Sequence, residues 1–327
     1  MSTTPLALAT REHVLRAIRG AERFVLVTHE HPDGDALGSI VAMQAVLRAL
    51  GKDSVLVIDP QEFPLPQEYR FFALDGLATE PPPDLVDRTA IFLDCGNLER
   101  TPFDALRIAE PLLNIDHHHD NTRFGTVNHV VEDASCTAEL IWDLLPDLNV
   151  ELTPQLAEAL YVGLVTDTGR FSYENTSPRA HLMAAELIEA GVDAAALYRQ
   201  IYEGVPAEKL ALLARALSGM TRYDDGRVTV AMLTAADFAA SGADASHSEG
   251  VIDQIRTVAG TKVAVLIRDI CAAGRRAGRK VSLRATDDEI DVSAVARAFG
   301  GGGHRRAAGF SSDLETGELI SAIRAQV

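Results

Sequence analysis

RFVLVTHEHPDGDALGS, residues 23–39, is the stretch on which the fold turns. Its first six residues, Arg23–Thr28, form a short apolar run of the kind that makes a buried strand; a turn comes next, then a helical pattern from about Ala36 to Leu50. The same strand type recurs as SVLVID at 54–59, AIFLD at 90–94 and LLNID at 112–116. Strands rich in Val, Ile and Leu on both faces, separated by helices, predict an α/β fold with a mostly parallel sheet and helices on both faces. From about Thr153 to Leu217 the pattern is helical, and Thr153-Pro154 and Ser177-Pro178 each place an N-cap before a proline at the first helical position. Past Ser218 the strands return as VTVAMLT at 228–234, KVAVLIRDI at 262–270 and RKVSLRA at 279–285. Helical patterns lie around Gly250–Val258 and Val292–Phe299, the second running into GGGGH and AAGF. The expected division is a first domain over 1–190, a helical linker over 191–217 and a smaller α/β domain over 218–327.

A length of 327 residues allows two domains, each with its own core, and 47% hydrophobic with 24% charged residues is ordinary for a soluble globular protein. The formal charge of −17 argues against a general binder of long duplex nucleic acid or of an anionic membrane. Cys95, Cys136 and Cys271 are widely spaced and form no CxxC pair, so they read as reduced, mostly core thiols rather than a disulfide framework or a zinc site. The opening MSTTPLALATREHVLRAI lacks the layout of a signal peptide, and no stretch reaches roughly 18 uncharged apolar residues, so a cytoplasmic protein is expected.

The chemistry lies at the strand ends. RFVLVT leads into His29, Asp33 and Asp35, AIFL ends on Asp94, and LLNI ends on Asp116, His117 and His118. All strand C-termini of an open parallel sheet lie on one edge, so these residues should converge. Any one of these ends alone reads as a turn or a helix cap. Three ends with the same enrichment, with Asp167 of GLVTDTGRF as a fourth acid, point instead to a site. Carboxylates so crowded cannot all stay ionised without cations between them. Imidazole with carboxylate and no thiolate suits Mn²⁺, Mg²⁺, Zn²⁺ or Fe²⁺, and four Asp with two or three His suffice for two ions sharing one Asp. Ion pairs about 3.5–4 Å apart are a recurrent device for in-line displacement at phosphorus, so the residues alone predict a binuclear phosphoesterase or related hydrolase.

Four consecutive glycines at 300–303 are neither a P-loop nor a dinucleotide motif, but they let backbone N–H groups approach an anion, with His304 beside them. Residues 260–310 hold ten Lys or Arg against five acids, a local +5 that leaves −22 on the rest of the chain. At 6% aromatic residues, no base-stacking platform stands out.

In this order, HEHPDGDALGS, LDCGN, the DHH of residues 116–118 and GLVTDTG resemble the four motifs of the DHH phosphoesterase superfamily, and GGGGHRRAAG at 300–309 resembles the signature of its DHH-associated C-terminal domain. The resemblance covers essentially the whole chain and is strongest to the nanoRNase and oligoribonuclease group, which also dephosphorylates 3′-phosphoadenosine 5′-phosphate. It implies two divalent cations, Mn²⁺ first, with Mg²⁺, Co²⁺ or Zn²⁺ as alternatives. His29, Asp33 and Asp94 would hold one ion; Asp35, Asp94, His117 and Asp167 the other. Asp94 would bridge, Asp116 would orient a histidine ring, and His118 would contact the scissile phosphate. Arg284, Gly301, Gly302, Gly303 and His304 would bind substrate across a cleft between the domains. His31 and His119 depart from the family pattern and are expected to be bystanders. The implied activity is exonucleolytic release of mononucleotides from RNA or DNA oligonucleotides of two to five units, and conversion of 3′-phosphoadenosine 5′-phosphate to AMP. Cyclic dinucleotides or linear pApA are the alternative substrates, a non-catalytic nucleotide sensor is the alternative of another class, and a homodimer is an open expectation.

Overall fold

The computed structural model describes residues 5–327 apart from 73, 75, 102, 108, 109, 273, 274, 287 and 288, with backbone alone at 5–9, 67, 271, 272, 275–277 and 304. Two compact units, Met1–Glu203 and Gly204–Val327, make up the chain.

The first unit runs α1 (Pro5–Gly20), β1 (Arg23–Val27), α2 (Gly34–Ala49), β2 (Asp53–Val57), β3 (Leu77–Ala78), β4 (Thr89–Leu93), α3 (Asp104–Arg107), β5 (Leu112–Asp116) and β6 (Val127–Val130). It closes with α4 (Thr137–Leu148), α5 (Pro154–Asp167), α6 (Pro178–Glu189) and α7 (Ala194–Tyr202). The strands pair in the order β3-β2-β1-β4-β5-β6, and every pair is parallel. Alternation along β1 explains the two faces. Phe24 and Leu26 join Leu56, Ile91, Leu93, Leu113 and Ile115 in a core against α1, α2, α4 and α5. Val25 and Val27 join Val57, Ala90 and Phe92 on the opposite face, covered by Leu106 of α3 and by loop residues such as Leu98, Phe103 and Phe124. Each such side chain contributes about 1.5–3 kcal/mol on burial. The expected caps form: Thr153 accepts from the Leu156 N–H and Ser177 from the Ala180 N–H.

The second unit runs α8 (Ala207–Ser218), β7 (Thr221–Tyr223), β8 (Val228–Leu233), α9 (Ala235–Ser241), α10 (Val251–Arg256), β9 (Val263–Ala272) and β10 (Arg275–Ala285). It ends with α11 (Val292–Ala298), β11 (Gly302–His304), β12 (Ala307–Ser312) and α12 (Thr316–Arg324). Its sheet has the order β11-β12-β10-β9-β8-β7, with β8 and β9 parallel and the other neighbours antiparallel. Val263, Val265, Val281 and Leu283 face α11 and α12, while Ala231, Leu233, Ala264 and Leu266 face α8 and α10. The stretch 191–217, expected as a separate linker, is divided at Glu203: α7 belongs to the first unit and α8 to the second. Cys95 and Cys136 are buried free thiols, and the Cys271 side chain lies outside the described residues. Among the described residues no helix is long and apolar enough to cross a membrane.

Strand β6 was not legible in the sequence, because VNHV alternates too briefly. It buries His129, whose Nδ1 lies 2.9 Å from Thr10 Oγ1. Among the described residues its buried Nε2 has no hydrogen-bond partner. Burial pulls this ring from the ordinary 6.5 down to about 4. Native His129 thus refuses a proton that the unfolded chain accepts, so its contribution to stability is present above pH 6.5 and lost as pH falls toward 4. That loss amounts to about 3 kcal/mol. Urea midpoints measured between pH 7 and 4 should therefore fall less steeply for His129→Asn than for the wild type; parallel curves would contradict this.

Candidate active site

The strand order reverses between β1 and β4, which opens a crevice at the carboxyl edge of the sheet where the acidic segments emerge. Asp33 N-caps α2, its Oδ1 accepting from the N–H groups of Asp35 and Ala36, both at 3.1 Å. One of its carboxylate oxygens also lies within 4.8 Å of ligand atoms of His29 and Asp94, so the cap and the site are the same residue. Asp35 does for α4 what Asp33 does for α2: its Oδ2 accepts from Thr137 N–H at 2.6 Å and its Oδ1 from Ala138 N–H at 3.0 Å. The Ser39 hydroxyl donates a third bond to Asp35 Oδ1 at 3.2 Å.

Asp94 comes directly after β4, in a left-handed conformation (φ 58°) that Asp tolerates better than most residues. Its Oδ2 lies 3.6 Å from His29 Nε2, and its Oδ1 lies 3.6 Å from both His117 Nε2 and His118 Nδ1. Thr137 Oγ1 donates to the same Oδ1 at 3.0 Å. Asp167 arrives from the C-terminal end of α5, not from a strand, with Oδ2 at 3.6 Å from His117 Nε2. Helices α2 and α5 approach closely enough for this only because Gly38 and Gly163 carry no side chain: a Cβ on Gly163 would stand 2.6 Å from Asp35 Oδ1.

The rings are held in defined tautomers. His29 Nδ1 donates to its neighbour's carbonyl, Glu30 O, at 2.7 Å, which leaves the Nε2 lone pair facing Asp94. His118 Nδ1 donates to Asp116 Oδ1 at 2.7 Å. Asp116 is buried and accepts also from the His117 N–H at 2.9 Å and from Asn121 Nδ2. Asn121 in turn bonds Asn114, and Asn114 Nδ2 donates to Cys95 O at 3.1 Å. Asn114, Asn121, Thr137 and Asn175, which donates to Asp167 Oδ2 at 3.1 Å, escaped the sequence reading. Only Asn114 offered a signal, as a lone polar residue inside an apolar strand.

Electrostatics separates the carboxylates. Against its burial, Asp94 is held well below the carboxylate range by the imidazoles of His29, His117 and His118. Burial, joined by the charges of Asp94, Asp167 and Asp33, pushes Asp35 well above that range. Burial first, with Asp94 and Asp33 adding, raises Asp167 to about 6. His118 rises to about 9 despite burial, because it faces Asp116 and Asp94. Acids driven apart in this way mark a site short of positive charge. The donor set fits divalent cations: His29, Asp33 and Asp94 form one group with ligand atoms mutually within 4.8 Å, Asp35, His117 and Asp167 a second, and Asp94, His117 and His118 a third that links them. The 3.6 Å separations are too long for hydrogen bonds, yet match two donors that each sit about 2.1 Å from one shared ion.

Two histidines stand aside. His31 is exposed, with its N–H and Nδ1 on the Glu62 carboxylate at 3.0 and 3.2 Å, and His119 is exposed. The remaining candidates belong to the second unit. Arg284, half-buried on β10, has Nε 3.5 Å from Asp253 Oδ1. The glycine run is less open than four free amides would be: Gly300 and Gly301 N–H groups bond the carbonyls of Arg297 and Ala296, and β11 pairs with β12. Gly302 is exposed, and Gly303 adopts φ 138° against the Ala307 carbonyl, where no side chain fits. The His304 side chain lies outside the described residues.

A family model described as "DHH family, N-terminal domain" matches residues 23–164, and one described as "DHHA1 domain" matches residues 225–327. The bifunctional oligoribonuclease and PAP phosphatase NrnA of Thermus thermophilus is 34% identical over 298 residues, spanning 90% of this chain and 85% of its own. The protein of that name from Bacillus subtilis is 25% identical over 307 residues, 92% of this chain and 93% of its own. An exopolyphosphatase-related protein from Bacteroides fragilis shares the fold, with a TM-score of 0.83 over 98% of this chain and 95% of its own at 23% identity.

Proposed function

The chain belongs to the DHH family of phosphoesterases, with a DHHA1 domain behind its DHH domain, and on that premise we propose that it hydrolyses short oligoribonucleotides and 3′-phosphoadenosine 5′-phosphate in a Mn²⁺-dependent reaction. Relatives bearing that activity in their name match it along most of their length. The observation that carries the reading is Asp94, whose two oxygens face two different sets of candidate ligands, so that it could serve two cations at once.

Bound there, divalent cations supply Lewis acidity and neutralise charge on a phosphoryl group. The chain's own residues do the rest. Asp94 stays ionised, because three imidazoles face it. Asp116 accepts from His118 Nδ1 and favours the protonated ring, whose Nε2–H can donate a charge-assisted hydrogen bond to a phosphoryl oxygen. Asp33 and Asp35, engaged as caps, fix the starts of α2 and α4. The excess negative charge of the chain disfavours long polymers, whereas the positive segment 260–310, with Arg284, Gly301–Gly303 and His304, is our proposed region for the rest of a short substrate. Mononucleotides and, from the bisphosphate, AMP with phosphate are the products this reading requires.

Incubating the purified protein with a diribonucleotide or with 3′-phosphoadenosine 5′-phosphate should release these products with Mn²⁺, lose turnover on chelation and regain it on adding Mn²⁺ back. No turnover with Mn²⁺, Mg²⁺, Co²⁺ or Zn²⁺ would overturn the reading. Preference for linear pApA or a cyclic dinucleotide in competition would move the substrate, and a nucleotide bound without hydrolysis would identify a sensor.

A further inference from the structure

Arg100 ends the segment LDCGNLER that begins at the last residue of β4. Asn97 caps a single 3₁₀ turn over Leu98–Arg100, accepting from the Arg100 N–H at 3.1 Å. The Arg100 carbonyl accepts from the Glu30 N–H at 2.9 Å, and Glu30 is the residue whose own carbonyl orients His29. The Arg100 backbone is therefore tied both to the Asp94 segment and to the His29 loop.

Its side chain is not tied. Arg100 is half-buried, and among the described residues its guanidinium makes no hydrogen bond or ion pair, in a chain with 47 acidic residues. Arg11, Arg23, Arg88, Arg107 and Arg179 of the same unit are all paired with acids. The backbone bond to Glu30 nevertheless sets this charged residue against the His29 loop. A partly desolvated cation with no partner is unfavourable. An anion brought from outside removes that cost.

We propose that Arg100 binds the phosphate of the substrate, its planar fork donating to two non-bridging oxygens of the group held at His29, Asp94 and His118. The site is otherwise lined by carboxylates, which repel a phosphate, and by imidazoles of which only His118 is proposed to donate to it. A guanidinium is the group that offers paired donors to a tetrahedral anion without competing for a divalent cation. The inference rests on the phosphoesterase reading for the substrate's identity, but not for the anion's chemistry.

Calorimetric titration of AMP and of inorganic phosphate into the Mn²⁺-loaded full chain tests it. Arg100→Gln should weaken both by about 30-fold, in the range a charged hydrogen-bonded pair provides, while Arg100→Lys, a point charge without the fork, recovers part of the loss. Neither variant should bind Mn²⁺ more weakly or have a lower thermal midpoint, whereas a merely structural role for Arg100 would lower both. Equal anion affinity in wild type and Arg100→Gln would overturn the assignment, as would a loss of Mn²⁺ binding or of fold in both variants. A wild type that binds AMP through Arg100 but turns over neither substrate would overturn the function proposed above and leave Arg100 as an anion-binding residue.

Discussion

Asp94→Asn is expected to lower kcat by roughly 10³-fold or more, because it removes the carboxylate that faces His29 on one side and His117 and His118 on the other. Oδ1 faces His117 and His118 while Oδ2 faces His29, so a neutral amide at this position cannot serve as an anionic ligand on both sides. Asparagine has the same size and shape as the native carboxylate, and it also tolerates the left-handed backbone (φ 58°), so the fold should persist. The Thr137 hydroxyl, which donates to Oδ1 at 3.0 Å, can still donate to an amide oxygen. Steady-state turnover with a diribonucleotide, together with Mn²⁺ titrated into the purified variant, checks this. Retention of a tenth of wild-type kcat, or two intact Mn²⁺ sites, would show that Asp94 is not shared between ions.

Gly163→Ala should cost stability and turnover together, although residue 163 offers no ligand atom. An added Cβ would stand 2.6 Å from Asp35 Oδ1 and 2.7 Å from Ala138 Cβ. Asp35 cannot swing away cheaply, because Thr137 N–H, Ala138 N–H and Ser39 Oγ all donate to it. Helix α5 must retract from α2, at about 1–3 kcal/mol, and it carries Asp167 with it. Displacing a positioned acid by such an amount lowers turnover by about 10–100-fold. In an ordinary helix interior the same exchange would stabilise by roughly 0.5–1 kcal/mol, so the sign of the change in thermal midpoint is diagnostic. A variant more stable than wild type and fully active would refute the close approach of the two helices.

The sheet of the first unit was legible because its strands announce themselves twice. Arg23–Thr28, 90–94 and 112–116 are largely apolar on both faces, and each runs into Asp, joined by His at the first and third, residues that do not continue a strand. The Thr153 and Ser177 caps were legible for a similarly local reason, since N-cap and proline chemistry needs only adjacent residues. β6 and α4 were not: VNHV is too short for a period, and α4 begins after Cys136, which makes no side-chain cap bond. Its orphan N–H groups are taken by Asp35, an acid distant in sequence that no local pattern connects to Thr137.

The same distinction runs through the site. By itself the sequence determined which acids and histidines stand at strand ends, and the parallel sheet then requires those ends to share one edge. Only the tertiary structure decided how the donors divide. It placed Asp167 at a helix end, turned the two Asp94 oxygens toward different imidazoles, used Asp116 to hold the ring of His118, and left the Arg100 guanidinium without a hydrogen-bond or ion-pair partner among the described residues. The physical reason is range. Strand and turn preferences act over a few neighbouring residues. Coordination and proton affinity instead depend on separations of a few tenths of an ångström between side chains remote in sequence, and those are set where Gly38 and Gly163 let α2 and α5 close on each other.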